Sequence, residues 1–319
     1  MHLIIPYAAS QAFMDPAAWA GLKLPHLQTL LNLLQRQHAL QDSEDLALHM
    51  PHERLLAKAL GWAQHSAALP WAAWHSAQQD QPSASPQAWM TPCHWQVGMD
   101  QVVMLDPASL FLSDDESQQL LQAMQPFLQE DGLQVTWHSA LAWHAQGDML
   151  AEMPTASLDR VIGQNVKPWM PDSPSAHHAA RPLQRLQSEM QMLLYNHPVN
   201  DAREARRQHT VNAFWLHGAG TLPTGSGALA QPVAMPDALR AGALRGDLQA
   251  WQQAWLQLDA TAVADLLEHF KASGQATLSL CSEAAAHTYE AVPATWHQRI
   301  TRLFHNTTPA TALTALMTP

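Results

Sequence analysis

Cysteine and charge are both scarce in this sequence. Cys93 and Cys281 are its only two thiols, too few for a disulfide framework or a thiolate zinc cluster, and such scarcity fits a reducing cytoplasm. Charged residues make up 13% of the chain, about half the usual share, and Gln, His and Ala fill the surface instead. With a net charge of −11, the chain lacks the clustered cations that displace counterions from nucleic acid; Arg203, Arg206 and Arg207 form one local basic patch. No apolar run reaches the length of a membrane span. The start MHLIIPYAAS has neither the basic region nor the long apolar centre of a signal peptide. A serine-hydrolase elbow is missing, because Gly225-Ser226-Gly227 has the wrong spacing. Gly218-Ala219-Gly220 runs into Leu-Pro and so satisfies neither a dinucleotide fingerprint nor a P-loop. These absences leave the expectation of a soluble cytoplasmic globular protein with no nucleic-acid and no membrane partner.

What is present reads as alternating strands and helices. Leu3 to Tyr7 is a short apolar run and predicts a buried first strand. Leu27, Leu30, Leu31 and Leu34 fall at helical spacing after Pro25 and predict a helix over 27–40. Pro51 opens a second helix to about Leu60, and residues 61–88 read as irregular, with a loop at 78–86. Gln96 to Leu105 predicts a strand, and Ser113-x-x-Glu116 is a capping box for a helix to Phe127. Strands are expected at 133–137 and 141–144, a linker at 171–175, and an amphipathic helix at 181–195. Further on, a loop is expected at 221–236, helices at 247–258 and 261–271, and a strand at 276–281 that leaves Ser282-Glu283 at its carboxyl end.

Histidine is abundant, with 19 copies, so the pairs His49/His52, His138/His144 and His177/His178 are candidate metal ligands. Leu56 stands where an HExxH site would need its second His, and chance proximity explains most such pairs. The 13 tryptophans are scattered rather than periodic and read as packing anchors. In the run Trp89 to Trp95, Thr91-Pro92 and His94 either pack or line a pocket.

One block stands out. From Leu194 to Gly220 the chain carries His197-Pro198-Val199-Asn200, then Arg203, then Asn212 leading through an apolar strand to Gly218-x-Gly220. This order resembles the archaeal-type cofactor-independent phosphoglycerate mutases. Leu24 to Leu30, Leu105-Asp106 with Ser113 to Leu120, and Val135 to His144 add weaker echoes in the same order. The chain also resembles RpfE-type regulatory proteins of proteobacteria, through Trp95-x-Val-Gly-x-Asp-Gln-Val102, Pro154 to Val161 and the same His-Pro-Val-Asn block.

The resemblance implies an α/β fold with an alkaline-phosphatase-like three-layer sheet. Residues 1–75 and 176–319 would form that core, and residues 89–170 an inserted α+β subdomain. It also implies two metal ions and a serine nucleophile after the first strand, where this sequence departs. Ser10 stands near the nucleophile position with no acidic residue adjoining it in sequence. Cys281-Ser282-Glu283-Ala284 replaces the Gly-Asp-His of the last core strand, and Pro92-Cys93-His94 and Trp143-His144 fill the places of substrate arginines. Phosphoryl transfer without those metals loses most of its charge stabilisation. The expectation is therefore a catalytically degenerate relative, a pseudoenzyme with a regulatory or small-phosphoester-sensing role and no metal cofactor. His197, Asn200, Arg203, Arg206 and Asn212 would line a residual anion pocket for a small phosphorylated metabolite; the bland alternative is that the asparagines cap turns, His197 is a satisfied core histidine and the arginines are solvated. Two rival expectations stand beside it. One is an active mutase or phosphatase holding Mn or Zn through Asp100, Asp106, Glu283 and His287, with His94. The other is an adaptor without any ligand.

Overall fold

The structure is a computed structural model that describes residues 1–15, 19, 21–41, 47–62, 68–79, 83–151, 153–170, 177–223, 232–291 and 307–317, with the backbone alone at 41 and 177–180. The expected linker at 171–175, the Gly225-Ser226-Gly227 segment and the centres of the expected loops at 78–86 and 221–236 lie outside the described residues. In chain order the strands are β1 His2–Ile5, β2 Gln35–Gln41, β3 Gln87–Cys93, β4 Trp95–Val97, β5 Val102–Met104, β6 Gln134–Ser139, β7 Ala142–Gln146, β8 Ala213–Gly220, β9 Val233–Ala234, β10 Thr277–Cys281 and β11 Ala285–Glu290. The chain forms two compact units, 1–45 with 50–61 and 228–319, and 46–49 with 62–227. Among the described residues no helix is long and apolar enough to cross a membrane.

The first unit is α/β. Its five strands run in the order β2-β11-β10-β1-β9, with β1 parallel to both β10 and β9 and with antiparallel pairs beyond β10. Alternation along the strands sends Leu3, Ile5, Leu278 and Leu280 to one face. There they join Leu27, Leu30, Trp251, Trp255 and Leu266 in one core. The helix Pro51–Ala59 packs on β1 and β11, and the sheet face opposite that core carries a polar ladder of His2, Ser279 and Thr288 within reach of the charge of that helix's Lys58. His2 Nε2 lies 2.8 Å from Ser279 Oγ, which lies 2.9 Å from Thr288 Oγ1. The helix Pro25–Leu33 starts at Leu24, which has no side chain to cap it. Buried Asp259 does so from a π-helical turn, Asp259–Val263, accepting the Leu27 amide at 2.8 Å and the His26 amide at 3.2 Å.

The second unit is built on an antiparallel sheet, β6-β7-β3-β8, with a separate ribbon β4-β5. One face meets the helix Asp114–Glu130 and the helix His177–Tyr195, burying Met90, Trp143, Leu120, Leu186, Met190 and Phe214 together. The capping box at Ser113 and Glu116 is present as the sequence predicts.

Three expectations are corrected. The helix expected over 27–40 ends at Leu33, and Gln35–Gln41 is a polar edge strand paired with β11. The apolar stripe stops at Leu34, and the polar residues beyond it can satisfy their backbone only through a partner far along the chain. The irregular region contains the helix Trp71–Gln78. The domain boundary also moves: the sequence places residues 176–227 in the core with 1–75, but β8 hydrogen-bonds along β3 and the helix His177–Tyr195 packs on that same sheet.

Gly218 and Gly220 do not form a free turn. They end β8 at φ +62° and +136°, and a Cβ on Gly218 would stand 3.0 Å from Trp71 Cβ. Their lack of side chains is what lets the helix Trp71–Gln78 close on the strand. Gly218→Ala is expected to cost about 2 kcal/mol from left-handed strain and overpacking, read as a lowered urea midpoint; an unchanged midpoint would contradict this close approach.

Candidate functional site

The block that dominates the sequence is knitted into the second unit. His197 caps the helix Pro198–Ala205, its Nδ1 accepting the Val199 amide at 3.3 Å. Burial lowers its pKa, and Asp201 only partly offsets this. Asn200 is buried, and its side chain bridges backbone on both sides: Nδ2 donates to Leu194 O and Val211 O, each at 2.8 Å, and Oδ1 accepts Val211 N–H at 2.9 Å. Asn212 imitates a strand partner for Trp95, accepting its N–H at 2.7 Å and donating to its carbonyl at 3.0 Å. Arg203 is fully buried. Its guanidinium donates to His209 O at 2.8 Å, Glu116 Oε2 at 2.8 Å and Leu110 O at 2.5 Å. Arg206 is half-exposed and donates to Glu116 Oε1 and, through Nε, to Gln208 Oε1 at 2.9 Å. Burial alone would raise the pKa of Glu116, but the Ser113 amide and the Arg203 and Arg206 charges outweigh it and hold the carboxyl below its ordinary value.

Of the residues expected to line an anion pocket, His197, Asn200, Arg203, Arg206 and Asn212, most are engaged within the protein. Both asparagines and Arg203 hold main chain, and the one carboxylate of Glu116 engages both arginines while neutralising one of their two charges. Only Arg206 presents a substantially exposed guanidinium.

A second constellation lies in the first unit, at the carboxyl ends of the adjacent parallel strands β1 and β10, where open α/β sheets place ligands. Ser10 follows β1 and Glu283 follows β10. The Ser10 hydroxyl donates to Glu283 Oε1 at 2.6 Å, and the Gln11 amide donates to both carboxylate oxygens at 3.2 and 3.1 Å. Ser10 Oγ also accepts the Ala12 amide at 3.2 Å, capping a short 3-10 turn. The chain reaches this place through Tyr7, a non-glycine residue at φ +54°, a strained conformation that needs support from its surroundings. That support comes from Trp251 Nε1, which donates to Tyr7 O at 2.9 Å, from Trp255 Nε1, which donates to Ala8 O at 3.1 Å, and from Ala8 N–H on Cys281 O at 2.7 Å. Ser10 thus has an acidic partner that no sequence neighbour supplies. Sequence reasoning singles out both residues but cannot join them, since only the parallel pairing of β1 with β10 does so.

The residues of the alternative metal set are divided between the two units, Asp100, Asp106 and His94 in the second and Glu283 and His287 in the first. Asp106 caps the 3-10 turn Pro107–Leu110 by accepting the Ala108 amide at 3.0 Å, and Asp100 lies exposed in the turn between β4 and β5. His94 donates from Nδ1 to Thr210 O at 2.8 Å. His287 sits on β11 opposite Leu280, its pKa lowered by burial and then by the Arg36 charge. Among the described residues no three His, Cys, Asp or Glu side chains converge as a metal-binding group. The pairs His49/His52 and His138/His144 form no such group, and the side chains of His177 and His178 are outside the described residues.

No protein family and no curated protein matches the chain. Several solved structures are similar to it, among them the following two. A cofactor-independent phosphoglycerate mutase from Thermoplasma acidophilum DSM 1728 is 13% identical, with 92% of this chain and 89% of that one covered at a TM-score of 0.36. The PH0037 protein from Pyrococcus horikoshii is 10% identical, with 92% and 87% covered at a TM-score of 0.45. Likeness at this level assigns no activity.

Proposed function

We propose that this chain is a phosphoglycerate-mutase-like α/β protein that does not catalyse phosphoryl transfer and serves a regulatory role in the cytoplasm. The observation that supports this is the closed Ser10–Glu283 pair. A carboxylate 2.6 Å from a serine hydroxyl could in principle activate a nucleophile. Here both carboxylate oxygens already accept the Gln11 amide, and Ser10 is 1% exposed. Two metal ions would need about six protein ligands, and Glu283 offers one carboxylate that is already engaged. The regulatory half of the proposal rests on the resemblance to RpfE-type proteins through Trp95–Val102, Pro154–Val161 and the His197 block.

Metal analysis of the purified protein, with a thermal shift against 3-phosphoglycerate, tests this. Manganese and zinc well below one per chain and no shift are expected. Stoichiometric manganese or zinc would overturn the non-catalytic reading, and a shift without bound metal would make the protein a phosphoester sensor that uses residues other than the engaged Arg203.

A further inference from the structure

On the face of the second unit's sheet that the helix Trp71–Gln78 covers, three imidazoles surround one indole. The ring centroid of Trp89, on β3, lies 5.2 Å from His75, 5.2 Å from His138 and 5.4 Å from His144, and His75 and His138 are 5.3 Å apart. His75 belongs to the helix, His138 to β6 and His144 to β7, so the cluster clamps the helix to the sheet. A hydrogen-bond network completes the clamp. Ser76 Oγ donates to Gln87 Oε1 at 2.8 Å, and His144 Nε2 lies 2.8 Å from that oxygen and 3.2 Å from Ser76 Oγ.

No acidic group on these elements favours a proton here. The helix Trp71–Gln78 and strands β3, β6, β7 and β8 contain no Asp, Glu, Lys or Arg. Their remaining histidine on this face is His217, whose Nε2 lies 3.0 Å from Thr91 Oγ1. The short helix Leu158–Val161 also reaches β8 and brings Asp159 and Arg160; the latter donates to His49 O at 2.9 Å. The charges that lower the affinity of His75 and His144 for a proton, beyond burial, come from within the cluster: His138 at His75, and His138 with His75 at His144. One imidazolium can rest against the Trp89 ring by cation–π attraction. A second, about 5 Å from the first, meets a like charge with no carboxylate on these elements to offset it.

We propose that His75, His138 and His144 around Trp89 form a proton-sensitive latch, in which double protonation below neutral pH frees the helix Trp71–Gln78 from its sheet. His138 is the exposed member of the cluster; the more buried His75 and His144 resist a proton while the helix is in place. The opening takes up a proton that the closed cluster resists, and so it grows as pH falls. It uncovers Gly218 and Gly220, the strand end on which Trp71 and Pro70 close.

Hydrogen exchange of the whole chain, corrected for the intrinsic pH dependence, tests this at pH values from neutral to mildly acidic. Protection of 71–78 is expected to fall about tenfold more than that of the helix Asp114–Glu130, a difference of about 1.4 kcal/mol in opening. In His138→Gln, which replaces an exposed side chain, that excess should shrink to about threefold or less. Equal loss in both helices of the parent, no loss in either, or an undiminished selective loss in His138→Gln would overturn the proposal.

Discussion

Arg203→Met is expected to destabilise the second unit by about 3–5 kcal/mol, whereas Arg206→Met, one helical turn further along the chain, should cost no more than about 1 kcal/mol. Arg203 is wholly buried and donates to Leu110 O, His209 O and Glu116. Methionine fills much of the volume but leaves the buried Leu110 carbonyl, the part-buried His209 carbonyl and part of a carboxylate without their donor, and an unmade buried hydrogen bond costs more than a made one contributes. Arg206 is half-exposed, and its pairing with Glu116 is screened by water. Urea unfolding of the two variants separates a fold staple from an anion site. If the arginines existed to hold an anion, both variants would unfold near the parent midpoint.

The second large effect is a loss of stability in acid centred on His2. Burial, then the α-amino charge of Met1 and that of Lys58, lower its pKa to about 4, while in the unfolded chain it returns to about 6.5. The folded form therefore resists the proton that the unfolded form accepts. As pH falls below about 6.5 the unfolded chain binds more protons, and stability declines until His2 also protonates in the folded state near pH 4. The window of about 2.5 pH units corresponds to about 3 kcal/mol. The physical site is the sheet face where His2 Nε2 meets Ser279 Oγ at 2.8 Å. His2→Gln keeps a polar group there and cannot titrate. Between about pH 7 and about pH 4 the parent should lose about 3 kcal/mol more than His2→Gln; equal losses in the two would contradict this assignment.

The sequence shows clearly those features whose cause is local. The capping box at Ser113 and Glu116, the first strand and the helix closed by Gly274 all carry their signals within a few residues. It reveals less where the deciding partner is distant. Leu27 to Leu34 marks a helix but not its end, because Gln35–Gln41 becomes a strand only by pairing with β11. Trp71–Gln78 has weak periodicity and is held by its approach to Gly218 and by the histidines around Trp89. At the candidate site the same limit separates Ser10 from Glu283, which two parallel strands bring within 2.6 Å. The His197–Gly220 block shows the opposite case. Its residue types suggest chemistry, yet Asn200, Asn212 and Arg203 bond to main chain, a role that polar residues fill equally well and that their identities alone do not reveal.

Turnover of 3-phosphoglycerate by the purified chain with added manganese tests the central claim most directly. With Ser10 closed onto Glu283 and no converging group of metal ligands among the described residues, no conversion above the protein-free control is expected. Conversion that depends on manganese and disappears in Ser10→Ala would contradict it and make the Ser10–Glu283 pair a working active site.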